Sequence, residues 1–317
     1  DGVGDDEDRH EQQNCDERDA HNARNISQRD QAAGDVLVHA HLGNAVDIVL
    51  DILLVVIFRL GVMGVAIATV SCQGISSILV TAMLMKEHPL FQLKLREIRF
   101  YRVSLNSVLR IGIPAALEAT MYTIANLIIQ VFVNELGTDT VAAWGTFAKI
   151  DAVYWMVVNA FGISITTFVG QNYGAGKVKR MRKSVGICLG MSYAGAILVS
   201  GALYALAGPL YRLFTTDENV VRIGVDMMHF LLPSYFMYVV IGILSGALRG
   251  AGRVLVPMLL TCGGVCLIRI VWMFGVFPGH PGINTIMLSY PVSWGITAVL
   301  FIIYYFRKFP KVKNVQE

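Results

Sequence analysis

Few ionisable side chains interrupt the long apolar runs of this 317-residue sequence, and those few carry its chemistry. Glu118 lies just inside an apolar run, after Gly112 and Pro114, with no arginine or lysine within one helical turn. An unpaired carboxylate in hydrocarbon costs several kcal/mol, so it must face a cavity, a counter-ion or a proton. That environment suits a proton carrier or half of a cation site. The alternative is a carboxylate bonded to a neighbouring helix. If Glu118 couples a cation, its side chain points among the runs at 111–133, 139–169 and 223–248. Asn126, Gln130 or Asp151 are then its expected polar neighbours. Lys149 and Asp151 lie near the middle of the 139–169 run, two residues apart, and cannot share a helix face. Asp151 opposite Glu118 would make a two-carboxylate site, and a structural ion pair is the competing reading. Arg269, in CLIRIVWMFG, needs an acid or several carbonyls. Asp226 and His229 open the 223–248 run near a surface and read as solvated. The five cysteines form no CxxC and no metal spacing; Cys262 and Cys266, four apart, read as packing.

Polar and aromatic residues also fall at helical spacing. Tyr122, Asn126 and Gln130 recur every four residues after Glu118, and Trp155 and Asn159 repeat the pattern beside Tyr154 in the next run. Such a face suits bulky lipophilic cations, although stripes of this kind also serve interhelical hydrogen bonding. GQNYGAGKVKRMRK (170–183) superficially suggests a phosphate loop, but five residues separate Gly170 from Gly176 and Val178 follows Lys177. A P-loop needs four residues between its glycines, then Gly-Lys-Ser/Thr after a strand. What remains is a tight basic turn facing anionic headgroups.

These residues are positioned by about eight apolar spans: 42–58, 62–85, 111–133, 139–169, 184–207, 223–248, 256–277 and 283–306. Each but the first approaches the roughly 20 residues a bilayer crossing needs. With only 15% charged residues and 55% hydrophobic ones, the chain is expected to be an all-α membrane protein. The first 41 residues form a separate polar segment, with eleven acids and four arginines in residues 1–35. It reads as disordered, either a genuine acidic tail or an out-of-frame piece. Residues 86–110 form a basic linker with an amphipathic stretch (KLREIRFYRVSLNSVLRIG) expected on the membrane surface. It parts 42–85 from 111–306 and leaves 307–317 as a tail. With the linker in the cytoplasm, seventeen lysines and arginines fall on that side, against Arg59, Arg212 and Arg222 on the other. The positive-inside rule then puts the C-terminus in the cytoplasm.

GQNYGAGK after a long apolar run, LRGAGRVLVPM (248–258), GIPAALEATMY (112–122) and NAVDIVLD (44–51) together resemble the multidrug and toxic compound extrusion (MATE) family over roughly residues 44–310. The resemblance implies a twelve-helix antiporter of two six-helix lobes that exchanges Na⁺ or H⁺ for organic cations. This chain would hold the last two helices of the N-lobe (42–85) and the six-helix C-lobe (111–306), without the first four or so helices. Glu118 then falls at the family's cation-coupling glutamate, with Asp151 as a second candidate. Tyr122, Asn126, Gln130, Trp155, Asn159 and Tyr238 would face the substrate. Gly170, Gln171, Gly174, Gly176, Arg249 and Arg269 would be structural, and Asp51 would serve helix packing. Tyr238 stands where some members carry a further acid, which leaves Na⁺ and H⁺ both open.

The expected protein is therefore a secondary efflux transporter of the cell membrane, not an enzyme. No cofactor is expected beyond the coupling ion, with any Na⁺ held at Glu118. Its expected partners are the lipid bilayer and small organic cations, not nucleic acid, and the full-length form is expected to be monomeric. The alternatives are a flippase for lipid-linked saccharides, whose cavity would need to be strongly cationic, and an inactive truncated chain.

Overall fold

The computed structural model describes residues 48–86, 99 and 101–308, all helix or connecting turn. The polar head, Asp47, most of the basic linker and the tail from residue 309 lie outside the described residues. The chain divides into two units, Asp1–Phe100 and Tyr101–Glu317. In the first, α1 (Ile48–Ile57) is joined by a short turn to α2 (Gly61–Lys86). The helices come close where Gly64 meets the backbone of Leu54, at 3.1 Å from where a Cβ would stand.

The second unit contains α3 (Arg102–Asn134), α4 (Thr138–Gly174), α5 (Val178–Ala205) and the short α6 (Ala207–Arg212). After these come α7 (Glu218–Leu231), α8 (Phe236–Gly250), α9 (Leu255–Thr261), α10 (Ile268–Gly275) and α11 (Ile283–Lys308). Six helical segments among the described residues are long and apolar enough to cross a membrane, and α7 with α8 makes a seventh if the bent pair is one span. All eight expected spans therefore have a helical counterpart. The part of the first that is described, α1, is short for a crossing. The span expected to begin at 111 starts at Arg102, because amphipathic Arg102–Arg110 continue the α-helix of the apolar part without a break.

Two interruptions went unforeseen. The expected 223–248 span is two helices bent by 52° at Leu232–Ser234. Pro233 cannot donate a backbone hydrogen bond and crowds the preceding turn. The Tyr154 hydroxyl donates to the Tyr235 carbonyl at the break, at 3.1 Å. The 256–277 span contains a π-helical turn, Cys262–Leu267, between α9 and α10.

Around α4 the unit is tied together by α5, α7 and α8, while α11 packs on α7, α8 and α10. At the α4–α8 crossing the backbones nearly touch. A Cβ on Gly246 would stand 2.7 Å from the Gly162 carbonyl oxygen, and one on Gly250 would collide with that of Thr166. Thr166 Oγ1 donates to the Gly246 carbonyl at 3.1 Å. Small residues at such a crossing let helices associate where lipid supplies no hydrophobic driving force. The turns after α4 and α8 need glycine for another reason: Gly176 (φ +70°) and Gly252 (φ +75°) are left-handed. Outward faces are apolar and exposed, as at Ile197, Leu198, Leu259 and Phe274.

Candidate substrate cavity and coupling carboxylates

A cavity of about 550 Å³ opens between α3, α4, the α7–α8 break, α10 and α11. All six residues expected to face substrate line it: Tyr122, Asn126 and Gln130 from α3, Trp155 and Asn159 from α4, and Tyr238 from α8. Four-residue spacing stacks each set on one helix face, which turns inward here. Gln130 is further fixed by donating to Asn134 at 2.8 Å. Tyr154 is fully buried and supports the break instead of lining the space.

Half of the lining residues are aromatic. The Trp155 ring meets that of Tyr238 edge-on at 4.5 Å, and Trp294 meets Tyr235 at 5.4 Å and Tyr290 at 5.5 Å. Tyr235, Tyr290, Trp294 and Trp144 were not foreseen as cavity residues. Tyr235 arrives because the Pro233 break turns it inward, and Trp144, Tyr290 and Trp294 lie in runs where sequence gives no sign of which face is wet.

Asp151 also lines the cavity. Its carboxylate accepts from the Trp155 indole at 2.6 Å and the Tyr235 hydroxyl at 2.5 Å. Lys149 is exposed on another face, 5.7 Å from the Phe214 ring, so the two do not pair. Two neutral donors, and no cation among the described residues, meet the Asp151 carboxylate. Asp151→Asn removes the carboxylate charge at nearly constant shape. Equilibrium binding of a lipophilic aromatic cation should weaken about tenfold, the loss of one charge-assisted contact of about 1.5 kcal/mol, while a neutral analogue should bind unchanged.

Glu118 is buried on α3, but its partner is neither Asp151, Asn126 nor Gln130. Arg249 Nη2, at the end of α8, donates to its Oε1 at 3.2 Å. The expected same-helix partner fails on geometry, since eight residues of helix put Asn126 about 12 Å away along the axis. Arg249, expected to be structural, thus bridges α3 and α8, and both its Nη2 and Nε donate to Ser245 Oγ, at 2.7 and 3.1 Å. It also borders a second hollow of about 300 Å³ with Thr166 and Gly242. Asn159 and Tyr238 line both hollows, so the hollow that Arg249 borders adjoins the main cavity.

Arg269, expected as an anchor, lines the cavity although only 3% exposed. Its Nε donates to Ser293 Oγ at 3.1 Å, and its guanidinium lies over the Tyr290 ring at 3.8 Å. Such a cation–π contact contributes about 2 kcal/mol when desolvated, which offsets part of the cost of holding a cation at membrane depth. Asp226 and His229 are exposed, and His229 bonds the Tyr204 carbonyl. Gln171 and Gly174 lie at the end of α4, both exposed, and a Cβ on Gly170 would stand 3.5 Å from the Gly250 carbonyl oxygen. Asp51 on α1 has a buried carboxylate oxygen without a hydrogen-bond partner among the described residues.

Comparison with known proteins agrees with this architecture. The chain is 24% identical over 253 residues to Probable multidrug resistance protein YoeA of Bacillus subtilis, a match covering 78% of the chain and 54% of that protein. It is 24% identical over 203 residues to Probable multidrug resistance protein NorM of Thermotoga maritima, covering 64% and 44%. It superposes on a crystal structure of MATE in complex with MaL6 with a TM-score of 0.79 and 18% identity, over 87% of this chain and 62% of that one. The chain spans about half the length of the curated relatives it matches. The MatE family model matches residues 114–274, which include Glu118, Asp151, Arg249 and Arg269. With half of its length matched by that model and its helices arranged as in those structures, the chain belongs to the MatE family of membrane transporters.

Proposed function

We propose that the protein takes part in secondary active efflux, exchanging Na⁺ or H⁺ for organic, drug-like cations across the cell membrane. In this reading α3–α11 form the six-helix C-lobe, α1 and α2 are the last two helices of the N-lobe, and the C-terminus is cytoplasmic. The observation that carries it is the Glu118–Arg249 ion pair beside an aromatic cavity that also holds Asp151. Arg249 acts as a built-in cation on the coupling carboxylate. A proton on Glu118, or a Na⁺ against it, displaces the guanidinium and loosens the bridge between α3 and α8. The aromatic walls and Asp151 meanwhile hold the organic cation through cation–π contact and charge. Loading at Glu118 and loading of the cavity then bias the same helices, which is what exchange requires.

The test is transport in proteoliposomes that carry the full chain, with a fluorescent lipophilic cation as cargo. Export should follow an imposed Na⁺ or H⁺ gradient and stop when that gradient is collapsed. Cargo movement that needs ATP, or that continues unchanged with no gradient, would overturn the proposal. The flippase alternative requires a strongly cationic cavity, whereas the cavity lining here carries one arginine and one aspartate.

A further inference from the structure

Cation export leaves one part of the cavity unused: a buried arginine with no acid against it among the described residues. Arg269 and Asp151 carry opposite charges and line the same space, yet they do not pair. Asp151 is engaged by Trp155 and Tyr235, and among the described residues Arg269 is hydrogen-bonded by Ser293 through Nε alone. Arginine offers five N–H donors in a planar fork that matches a carboxylate or a phosphate ester. The fork lies against two rings, with the guanidinium carbon 3.8 Å from the Tyr290 centroid and 5.3 Å from that of Trp294. Trp294 adds a second donor, since its Nε1 is buried and has no hydrogen-bond partner among the described residues.

We propose that Arg269, with Trp294, forms a subsite for an acidic group, so that this cavity takes amphoteric aromatic solutes. The solute's carboxylate or phosphate ester meets Arg269, its ring lies among Tyr238, Tyr290 and Trp294, and its cationic end meets Asp151. The two unpaired charges of the cavity are thereby satisfied by one molecule. A purely cationic solute satisfies Asp151 and leaves Arg269 facing a like charge. This rests on the reading of the cavity as the substrate site and adds the chemical class that the site prefers.

The experiment measures binding to the full chain in neutral detergent, without any gradient, by isothermal titration calorimetry. Three probes share one ring: 2-naphthylalanine (zwitterion), its methyl ester (cation) and its N-acetyl derivative (anion). The zwitterion should bind at least tenfold tighter than the ester, with the N-acetyl acid between them. Arg269→Gln should abolish the advantage of the zwitterion and leave the ester unchanged or tighter, whereas Arg269→Lys should keep a reduced advantage. Equal binding of zwitterion and ester to the unaltered protein would overturn the subsite, whether or not the variants fold. So would failure of all three to bind, or an equal loss for all three in Arg269→Gln. Added phosphatidic acid should leave zwitterion binding unchanged. If it displaces the probe, the acid recognised is a lipid headgroup and the solute reading falls. Because binding is read without a gradient, loss of coupling alone would leave this result standing and strike only the exchange mechanism.

Discussion

Glu118→Gln is expected to abolish gradient-driven export, at least a hundredfold below the unaltered protein, while leaving the protein folded. The amide keeps the shape of the side chain but can neither release a proton nor balance a Na⁺, so the cation step has no site. Stability should change little, because the Arg249 side chain is 40% exposed and retains Ser245. The lost ion pair is therefore worth about 1 kcal/mol, nearer to a surface pair than to a fully buried one. Binding of an aromatic cation measured without a gradient should persist, since Glu118 does not line the main cavity. Arg249→Gln should give a different phenotype, with the carboxylate left without its internal competitor and the coupling cation bound more tightly. Normal export by Glu118→Gln in proteoliposomes would remove Glu118 from the mechanism and leave Asp151 as the coupling carboxylate.

Gly250→Leu is expected to prevent the second unit from folding. A Cβ there collides with the Thr166 carbonyl and comes within 3.0 Å of Val169 Cβ and 3.1 Å of the Gly170 nitrogen. Two of these three obstacles are backbone, which cannot rotate aside as a flexible side chain would. Separating α4 from α8 would also stretch the Thr166–Gly246 hydrogen bond. Overpacking of this kind costs about 3 kcal/mol or more, a large part of a typical domain's stability. Gly190→Ala in α5 is the control, because nothing lies within 4 Å of its added Cβ. It should leave the unfolding midpoint in detergent equal or higher, since alanine favours helix by about 1 kcal/mol. A Gly250→Leu protein that melts with the unaltered one would mean that the two helices are not locked here.

Hydropathy located the helices, because in a bilayer every long apolar run must satisfy its backbone internally and so becomes helix. It could not mark the start of α3, where amphipathic residues continue the same backbone. The four-residue stripes on α3 and α4 were legible because a helix face repeats at that spacing. The partner of Glu118 was not legible: Arg249 lies 131 residues away, and only tertiary packing joins them. Nor was the inward turn of Tyr235, although Pro233 was a visible cause for a break. The resemblance to the family implied only a structural anchor at Arg269. Its burial beside Tyr290, with no acid against it among the described residues, is a fact of three dimensions alone.

The π turn at Cys262–Leu267 bears on how this helix tolerates change over generations. A π turn holds one residue more than the α-helix it interrupts, so losing a single residue from it would restore a regular helix at little cost to the backbone. The helix beyond would keep its rotational phase, because the extra residue is absorbed within the turn itself. Arg269 would stay on the cavity wall and Met273 in the small core that it shares with Ile129 and Phe277. A one-residue deletion in CGGVCL would thus leave the charge of the cavity in place, whereas the same loss from a regular α-helix turns every later residue by about 100°. Within this helix the π turn is the place where chain length can change without rewriting the cavity.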